Sequence, residues 1–302
     1  MIYFVVVNYY SSDLIAWLLD SIQQSIRENY SLLIVNNSPE DTAINNLAGL
    51  NPKVAILQSG KNVGFGSACN LALEKIYGQN PQANVWLINP DAYLLDGAIG
   101  YVLSCFEKQK SIAILGTRIQ DETGKIWFNT GRFNRWLGSI TYLSEDKTDC
   151  QLAGSKSVLP EVIPTRWASG CSLIFNLAQF DHCPQFDPRF FLYYEDTDLC
   201  ERYYRQGYTI AVTRDPLVRH HVSSLTSRDL RFKWAHATFS KLYFLEKHGT
   251  WLARWLNGVY VLVKVGRDWL QGETESAQGR WCGLWAYIRG QPQPQFFSQP
   301  YI

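Results

Sequence analysis

The hydrophobic and polar positions of the first 120 residues alternate between two periods. Ile2–Val7 is an unbroken apolar run rich in β-branched residues, the pattern of a strand buried on both faces. Ser11, Ser12 and Asp13 can cap the next segment, in which Leu14, Trp17, Leu18 and Ser21–Ile22 recur at helical spacing. The alternation continues with strands at Ser31–Val35, Val54–Gln58, Asn84–Asn89 and Ile112–Thr117. Helices at Asp41–Leu50, Gly66–Tyr77 and Gly97–Lys108 separate them. Strand and helix in this order imply right-handed βαβ crossovers and an α/β fold with a doubly wound, mostly parallel sheet. Ligands of such sheets sit at the carboxyl ends of the strands, so Asn8, Asn36–Asn37 and Asn89–Asp91 are the first candidate residues.

Residues 121–163 lose this rhythm, and the Gly, Ser, Lys, Asp and Thr crowded between Ser144 and Ser157 read as a surface insertion or mobile flap. Order returns with a strand at Trp167–Phe175 and a helix at Glu195–Gln206, which has carboxylates in its first turn and Gly207 as its stop. Two short strands, Thr209–Thr213 and Leu217–Val222, precede helices at 229–249 and 251–270, and the tail after Gly290, with its QPQPQ run, reads as loose. In the last of these helices Leu252, Trp255, Leu256, Val259, Val263 and Leu270 fall on one face, and Arg254, Asn257, Lys264 and Asp268 on the other. Trp281, Leu284, Trp285 and Ile288 continue the apolar theme. Such a face either packs on the main domain or, with basic residues at its margins, meets a membrane surface.

Composition narrows the class. The chain has 302 residues, 46% hydrophobic and 18% charged, which suits a globular protein able to bury a large core. No apolar run is long enough to span a membrane, and the opening MIYFVVVNYY lacks the basic flank of a signal peptide. Seven cysteines without a CxxC pair fit reduced core thiols in a cytoplasmic protein. The net charge of +1 hides an asymmetry: residues 214–302 carry 12 Lys+Arg against 6 Asp+Glu, and six of the eleven tryptophans. Nothing in this distribution points to nucleic acid.

Three segments carry candidate chemistry. In NVGFGSACN (62–70) Gly64 and Gly66 precede a helix, which suits either an anion or a tight βα turn; the dinucleotide fingerprint and the P-loop are both missing, which excludes a dinucleotide-dependent oxidoreductase. WLINPDAYLLD (86–96) sets Asn89 and Asp91 at a strand end, where the carboxylate either holds a divalent cation against a diphosphate or closes a turn. YYEDTDLCERYYRQGY (193–208) clusters Glu195, Asp196 and Asp198 on one helical turn beside aromatics. That turn is either a response to the helix dipole or a general base in a low-polarity cleft. His220–His221 adds imidazoles that serve either a metal or the fold.

Taken in order, VVVNYYSSDL near the start, IVNNS at 34–38, NVGFGSACN, INPDAYL at 88–94, WASGCSLIF at 167–175, the 186–208 block and HHVSS at 220–224 resemble family 2 glycosyltransferases, in particular the rhamnosyltransferase-like branch. The resemblance covers residues 1 to about 225. It implies a GT-A fold with a catalytic domain at 1–225 and a helical extension at 226–302. It implies a nucleotide pocket lined by Asn8, Tyr9, Asn36, Asn37, Asn62, Gly64, Phe65, Gly66 and Asn70 for a UDP- or dTDP-sugar. Asp91 and His220 would hold Mg²⁺ or Mn²⁺, with Asn89 in the degenerate first place of a DxD-type motif. Asn89, Trp167, Ser169 and Gly170 would face the sugar or acceptor. Glu195–Asp196 matches the family's acidic pair, and Asp196 would be the base of an inverting displacement onto a glycan or lipid-linked acceptor, in a cytoplasmic protein at the inner face of the plasma membrane. Two positions depart from the family: Asn36 stands where Asp is usual, and Tyr10 where Asn is usual. A decayed, non-catalytic sugar-nucleotide or glycan-binding protein is the alternative; the retained Asp91 and Asp196 speak against it. A nucleotidyltransferase would carry a basic Gly-rich signature after the first strand, where this chain has NYYSSDL.

Overall fold

The structure, a computed structural model, describes residues 1–25, 30–143, 161–221 and 229–291. The expected flap between Ser144 and Ser157, the Val222–Ser224 part of the HHVSS stretch and the tail from 292 lie outside these residues.

β1 (Ile2–Asn8), α1 (Ser12–Ser25), β2 (Tyr30–Asn36), α2 (Ile44–Leu50), β3 (Val54–Gln58), α3 (Phe65–Gln79) and β4 (Asn84–Ile88) reproduce the expected alternation. β5 (Ala92–Leu94), α4 (Ala98–Lys108) and β6 (Ile112–Gln120) follow. Three short strands come next: β7 (Ile126–Phe128), then β8 (Thr130–Asn134) and β9 (Ser139–Leu143), which form a hairpin. β10 (Val162–Pro164), β11 (Ser172–Asn176), α5 (Glu195–Arg205) and β12 (Thr209–His220) complete the sheet. α6 (Leu230–His248), α7 (Trp251–Leu270) and α8 (Thr274–Ile288) close the described chain.

The large sheet runs β10-β12-β6-β11-β4-β1-β2-β3, with β5 on β12 and β7 on β6. β1, β2, β3, β4, β6 and β12 point the same way, and β11 enters antiparallel between β4 and β6. The order reverses at β1, whose two neighbours are β2 and β4, so a crevice opens beyond Asn8 and the end of β4. The central strands are buried on both sides because helices cover both faces, and Phe4 stacks on Trp86 inside, their ring centroids 5.4 Å apart.

Several expectations are corrected. α1 buries Ile15, Leu18, Leu19 and Ile22 and leaves Trp17 exposed, because the buried stripe of a helix on a sheet follows one narrow i, i+3, i+4, i+7 row. Truncating Leu18 to Ala removes a fully buried side chain of that row, a change that costs about 2–5 kcal/mol. Residues 121–143, read as part of an insertion, are mostly strand. The strand read at Trp167–Phe175 starts at Ser172, and Trp167 forms only an isolated bridge with Gly131. The two short strands after Gly207 are one strand, β12, whose irregularities between Val212 and Val218 absorb Pro216 without breaking the pairing to β6.

The terminal helices hold together around Phe190, Phe239 and Phe244 and around Leu242, Val261 and Leu284. α8 lies so close on α6 that a Cβ at Gly279 would meet the Arg231 carbonyl oxygen at 2.5 Å.

Candidate active site

At the ends of β1 and β2 the amides of Asn8 and Asn36 stand side by side in register. Asn8 Nδ2 donates to Asn36 Oδ1 (3.0 Å) and to Asp41 Oδ2 (3.0 Å), and Asn36 Nδ2 donates to Gln58 Oε1 (3.0 Å). Asn8 Oδ1 accepts from the backbone N–H and the hydroxyl of Ser11, both at 3.0 Å, so Ser11 serves the strand end rather than capping α1 with its side chain. Asp41 also accepts from Ser12 Oγ (2.8 Å). A carboxylate thus lies in this pocket although position 36 is a neutral amide. Sequence reading missed Asp41: an Asp three residues after Ser38 in a turn-rich stretch reads equally well as the start of a helix, and α2 begins only at Ile44. Tyr9 and Tyr10 flank the pocket, half-exposed, with Tyr10 at φ 50°.

Asn37 and Asn62 hold the glycine turn. Asn37 Nδ2 donates to Asn62 Oδ1 (2.9 Å), Asn37 Oδ1 accepts from Val63 N (3.0 Å), and Asn62 Oδ1 accepts from Gly64 N (3.0 Å). Gly64 has φ 84°, and a Cβ there would lie 2.5 Å from the Phe191 carbonyl oxygen, so position 64 must be glycine on two counts. Phe65 N donates to that same carbonyl (3.1 Å). The close approach that these glycines permit is therefore made by the chain's own 186–191 segment. Asn70, grouped by sequence with the nucleotide residues, engages Phe186 with both ends of its amide: Nδ2 donates to the carbonyl (2.9 Å) and Oδ1 accepts from the N–H (2.8 Å).

Beyond β4, Asp91 is buried, and its Oδ1 lies 3.2 Å from His220 Nε2 at the end of β12. The β5–β12 pairing brings the two together by setting His220 opposite Ala92. Trp127 packs on the imidazole at 4.6 Å between centroids. Asn89 is bound through its backbone, donating to Cys171 O (2.9 Å). Among the described residues no group of three or more His, Cys, Asp or Glu is arranged to hold a metal. Asp91 and His220 are a two-donor set, which suits a cation that takes its remaining ligands from phosphate and water rather than from a protein cage.

The acidic pair opens α5. Tyr193 and Tyr194, both left-handed at φ 70° and 66°, turn the chain sharply into the helix, a strained conformation for non-glycine residues. Asp196 Oδ2 accepts from Gly170 N (2.8 Å), its Oδ1 accepts from Thr197 N (2.6 Å) and Thr197 Oγ1 (3.1 Å), and the Trp167 indole lies beside it. Burial raises the Asp196 carboxyl, and these donors pull it back by stabilising the charged form. Glu195 lacks comparable help: burial, reinforced by the charge of Asp196, pushes it up to about 8. The two carboxyls therefore differ in their surroundings: Glu195 stays protonated near neutral pH, whereas Asp196, though also raised by burial, has donors that favour its charged form.

Ser169 Oγ accepts from Cys171 N (3.3 Å), which closes the 167–171 turn. Cys171 joins the two halves of the site: burial, then the charges of Asp91 and Asp196, raise its thiol well above the usual range. Asp198, the third acidic residue, has a different part. Burial alone would raise it, but a hydrogen bond from His248 (2.8 Å) and the cations of Arg202 (2.7 Å) and Lys247 (2.6 Å) outweigh that and hold it at about 2. It ties α5 to α6.

Comparisons with known proteins bear on the family and the fold. A curated protein of Mycobacterium tuberculosis, N-acetylglucosaminyl-diphospho-decaprenol L-rhamnosyltransferase, is 24% identical over 263 residues, covering 82% of this chain and 85% of that protein. A mannosyltransferase of Pyrobaculum calidifontis, solved with GDP-Man and Mn²⁺, matches 96% of this chain and 87% of its own with a TM-score of 0.57 at 12% identity. GalNAc-T7, solved with UDP, GalNAc and Mn²⁺, matches 73% of this chain with a TM-score of 0.56 at 12% identity; the match spans 43% of GalNAc-T7. These structural neighbours share the GT-A fold. The family model described as glycosyl transferase family 2 matches residues 3–159, more than half of the chain, and the protein therefore belongs to that family, as a rhamnosyltransferase-like glycosyltransferase.

Proposed function

We propose that the protein transfers rhamnose or another hexose, with inversion, from a UDP- or dTDP-sugar to a hydroxyl of a glycan or lipid-linked acceptor in surface-glycan assembly. Residues 1–225 form the catalytic domain in this reading, with 226–302 as its helical extension. The observation that carries it is Asp196, a part-buried carboxylate that accepts from Gly170 N, Thr197 N and Thr197 Oγ1, donors that oppose the upward shift burial imposes, beside a Glu195 that stays protonated. A base in a low-polarity cleft needs that division, because two adjacent carboxylates cannot both ionise cheaply. Asp196 accepts the proton of the acceptor hydroxyl as the oxygen attacks the anomeric carbon. Trp167, Ser169, Gly170 and Asn89 line the sugar and acceptor side.

On the donor side Tyr9 meets the nucleoside, with Asn8, Asn36 and Asn37 shaping the pocket behind it, and Asn62 borders the pocket while the glycines of its turn pack on the 186–191 segment. Asn36, buried with its amide engaged by Asn8 and Gln58, shapes the base end of the pocket, and Asp41 supplies the carboxylate that position 36 lacks. Asp91 and His220 would hold Mg²⁺ or Mn²⁺, which when bound neutralises charge on the departing nucleoside diphosphate. The relative's name specifies an acceptor on decaprenyl diphosphate, and a lipid-linked acceptor of that kind supports our reading of a reaction at a membrane surface, at its cytoplasmic face.

The test is Asp196→Asn. The amide keeps the shape and cannot take a proton, so transfer falls on the order of 100- to 10,000-fold while nucleoside diphosphate affinity is retained. Near-normal turnover would move the base to Glu195 or remove the mechanism.

A further inference from the structure

α7 is amphipathic in the reverse of the usual sense. It buries Ala253, Asn257, Val261 and Asp268, a stripe half of which is polar, and satisfies it internally. Asn257 Nδ2 donates to Leu137 O (3.0 Å), and Asp268 Oδ2 accepts from Arg280 Nε (2.8 Å). The apolar face goes outward: Trp251 is 74% exposed, Val263 64% and Leu270 92%. Of the two readings of Leu252, Trp255, Leu256, Val259, Val263 and Leu270, burial against the catalytic domain does not occur; all six are exposed.

This face is continuous with two other elements. A groove of about 350 Å³ runs between α7 and α8, lined by Trp255, Val259 and Leu262 on one side and Trp281, Trp285 and Ile288 on the other. The tip of the β8–β9 hairpin lies against the start of α7, with Thr250 N donating to Arg135 O (3.0 Å), and it exposes Trp136 and Leu137. An exposed apolar surface of this extent marks an interaction site.

Its charge selects the partner. The only acidic residue of α7 is Asp268, buried against Arg280, whereas Arg267 is exposed and Arg254 is exposed beside Glu246 at Tyr287; Glu273 and Glu275 are exposed at the start of α8, N-terminal to Trp281 and Trp285. Cations sit on the exposed rings: Arg135 on Trp136 (5.8 Å), Arg289 on Trp285 (4.6 Å), and Lys241 and Lys264 on Tyr260 (5.3 and 5.8 Å). A second copy docking face to face would bring these like charges together across a two-fold axis. An anionic lipid surface would neutralise them and receive the tryptophans at the headgroup boundary. No described helix is long and apolar enough to cross a membrane, which leaves α7 lying in the plane.

We propose that α7, the outer face of α8 and the 135–138 hairpin tip form an interfacial platform that docks the protein on an anionic bilayer. Its purpose rests on the lipid-linked acceptor reading; its contacts do not. The platform is coupled to the chemistry at two points. Lys247 and His248 of α6 pair with Asp198 of α5, the helix that begins with Glu195 and Asp196, and Gly131 of the hairpin bridges Trp167. Docking therefore orients the cleft with respect to the lipid surface.

The experiment is co-sedimentation of the full chain with phosphatidylcholine vesicles, with and without phosphatidylglycerol, at low and high salt. Wild type binds the anionic vesicles, high salt weakens that binding, and Trp136→Ser combined with Trp255→Ser lowers the affinity on the order of tenfold or more. Circular dichroism, and transfer to a water-soluble acceptor, remain those of wild type in the double variant. Equal binding to neutral vesicles, no binding to either, unchanged binding of the double variant, or a dimer in sedimentation equilibrium that the double substitution dissociates would each overturn the proposal. Transfer to the soluble acceptor reports on the catalytic reading separately.

Discussion

Replacing Glu195 with Gln turns the division of the acidic pair into a measurable stability. Glu195 is buried, and burial together with the Asp196 charge moves its titration from 4.5 to about 8. Between these values the folded chain keeps a proton that the unfolded chain has lost, so stability falls as pH rises through the window and levels off above about 8. At pH 7 the effect spans about 2.5 pH units, which at 1.36 kcal/mol per unit is about 3 kcal/mol. Gln has the shape without the titration. Glu195→Gln is therefore expected to be about 3 kcal/mol more stable than wild type at pH 7, and close to wild type near pH 4.5. Given how melting temperature scales with stability in domains of this size, the gain at pH 7 is about 5–10 °C. Urea and thermal unfolding of both proteins across this pH range read it directly. A difference between them that stays constant with pH would refute the claim that the fold holds Glu195 neutral.

Two further outcomes follow from the site. Asp91→Ala and a chelator are each expected to weaken nucleoside diphosphate binding in calorimetry, and the two effects should not add, because both remove the same contact; unchanged affinity under both would leave Asp91 a turn residue. Gly131→Ala drives a Cβ into the Trp167 ring and displaces the indole beside Asp196, so kcat should fall on the order of 100-fold with nucleotide affinity preserved, and unaltered kcat would remove Trp167 from the orientation of Asp196.

Much of the molecule was legible in the chain, for reasons that are local. The β-branched runs of β1 and β2, the helix stripes between them and the polar residues closing each strand report periodicity and burial, which neighbours in sequence encode. Glu195 and Asp196 stood out as first-turn carboxylates beside aromatics, but the pattern alone left a helix-dipole role open, and their catalytic part was what the family resemblance implied. The rest depended on distant segments. Asp41 became a site residue only when parallel pairing set Asn8 beside Asn36, and Asp91 met His220 only through the β5–β12 pairing across about 130 residues of chain. The glycines at 64 and 66 showed that something approaches closely; only the fold revealed that it is the 186–191 segment. In α7 the sequence determined two faces of opposite polarity, while the tertiary structure decided which faces inward. Asn257 and Asp268 found buried partners in Leu137 and Arg280, and once these polar groups were satisfied inside, the tryptophan face was left to the outside.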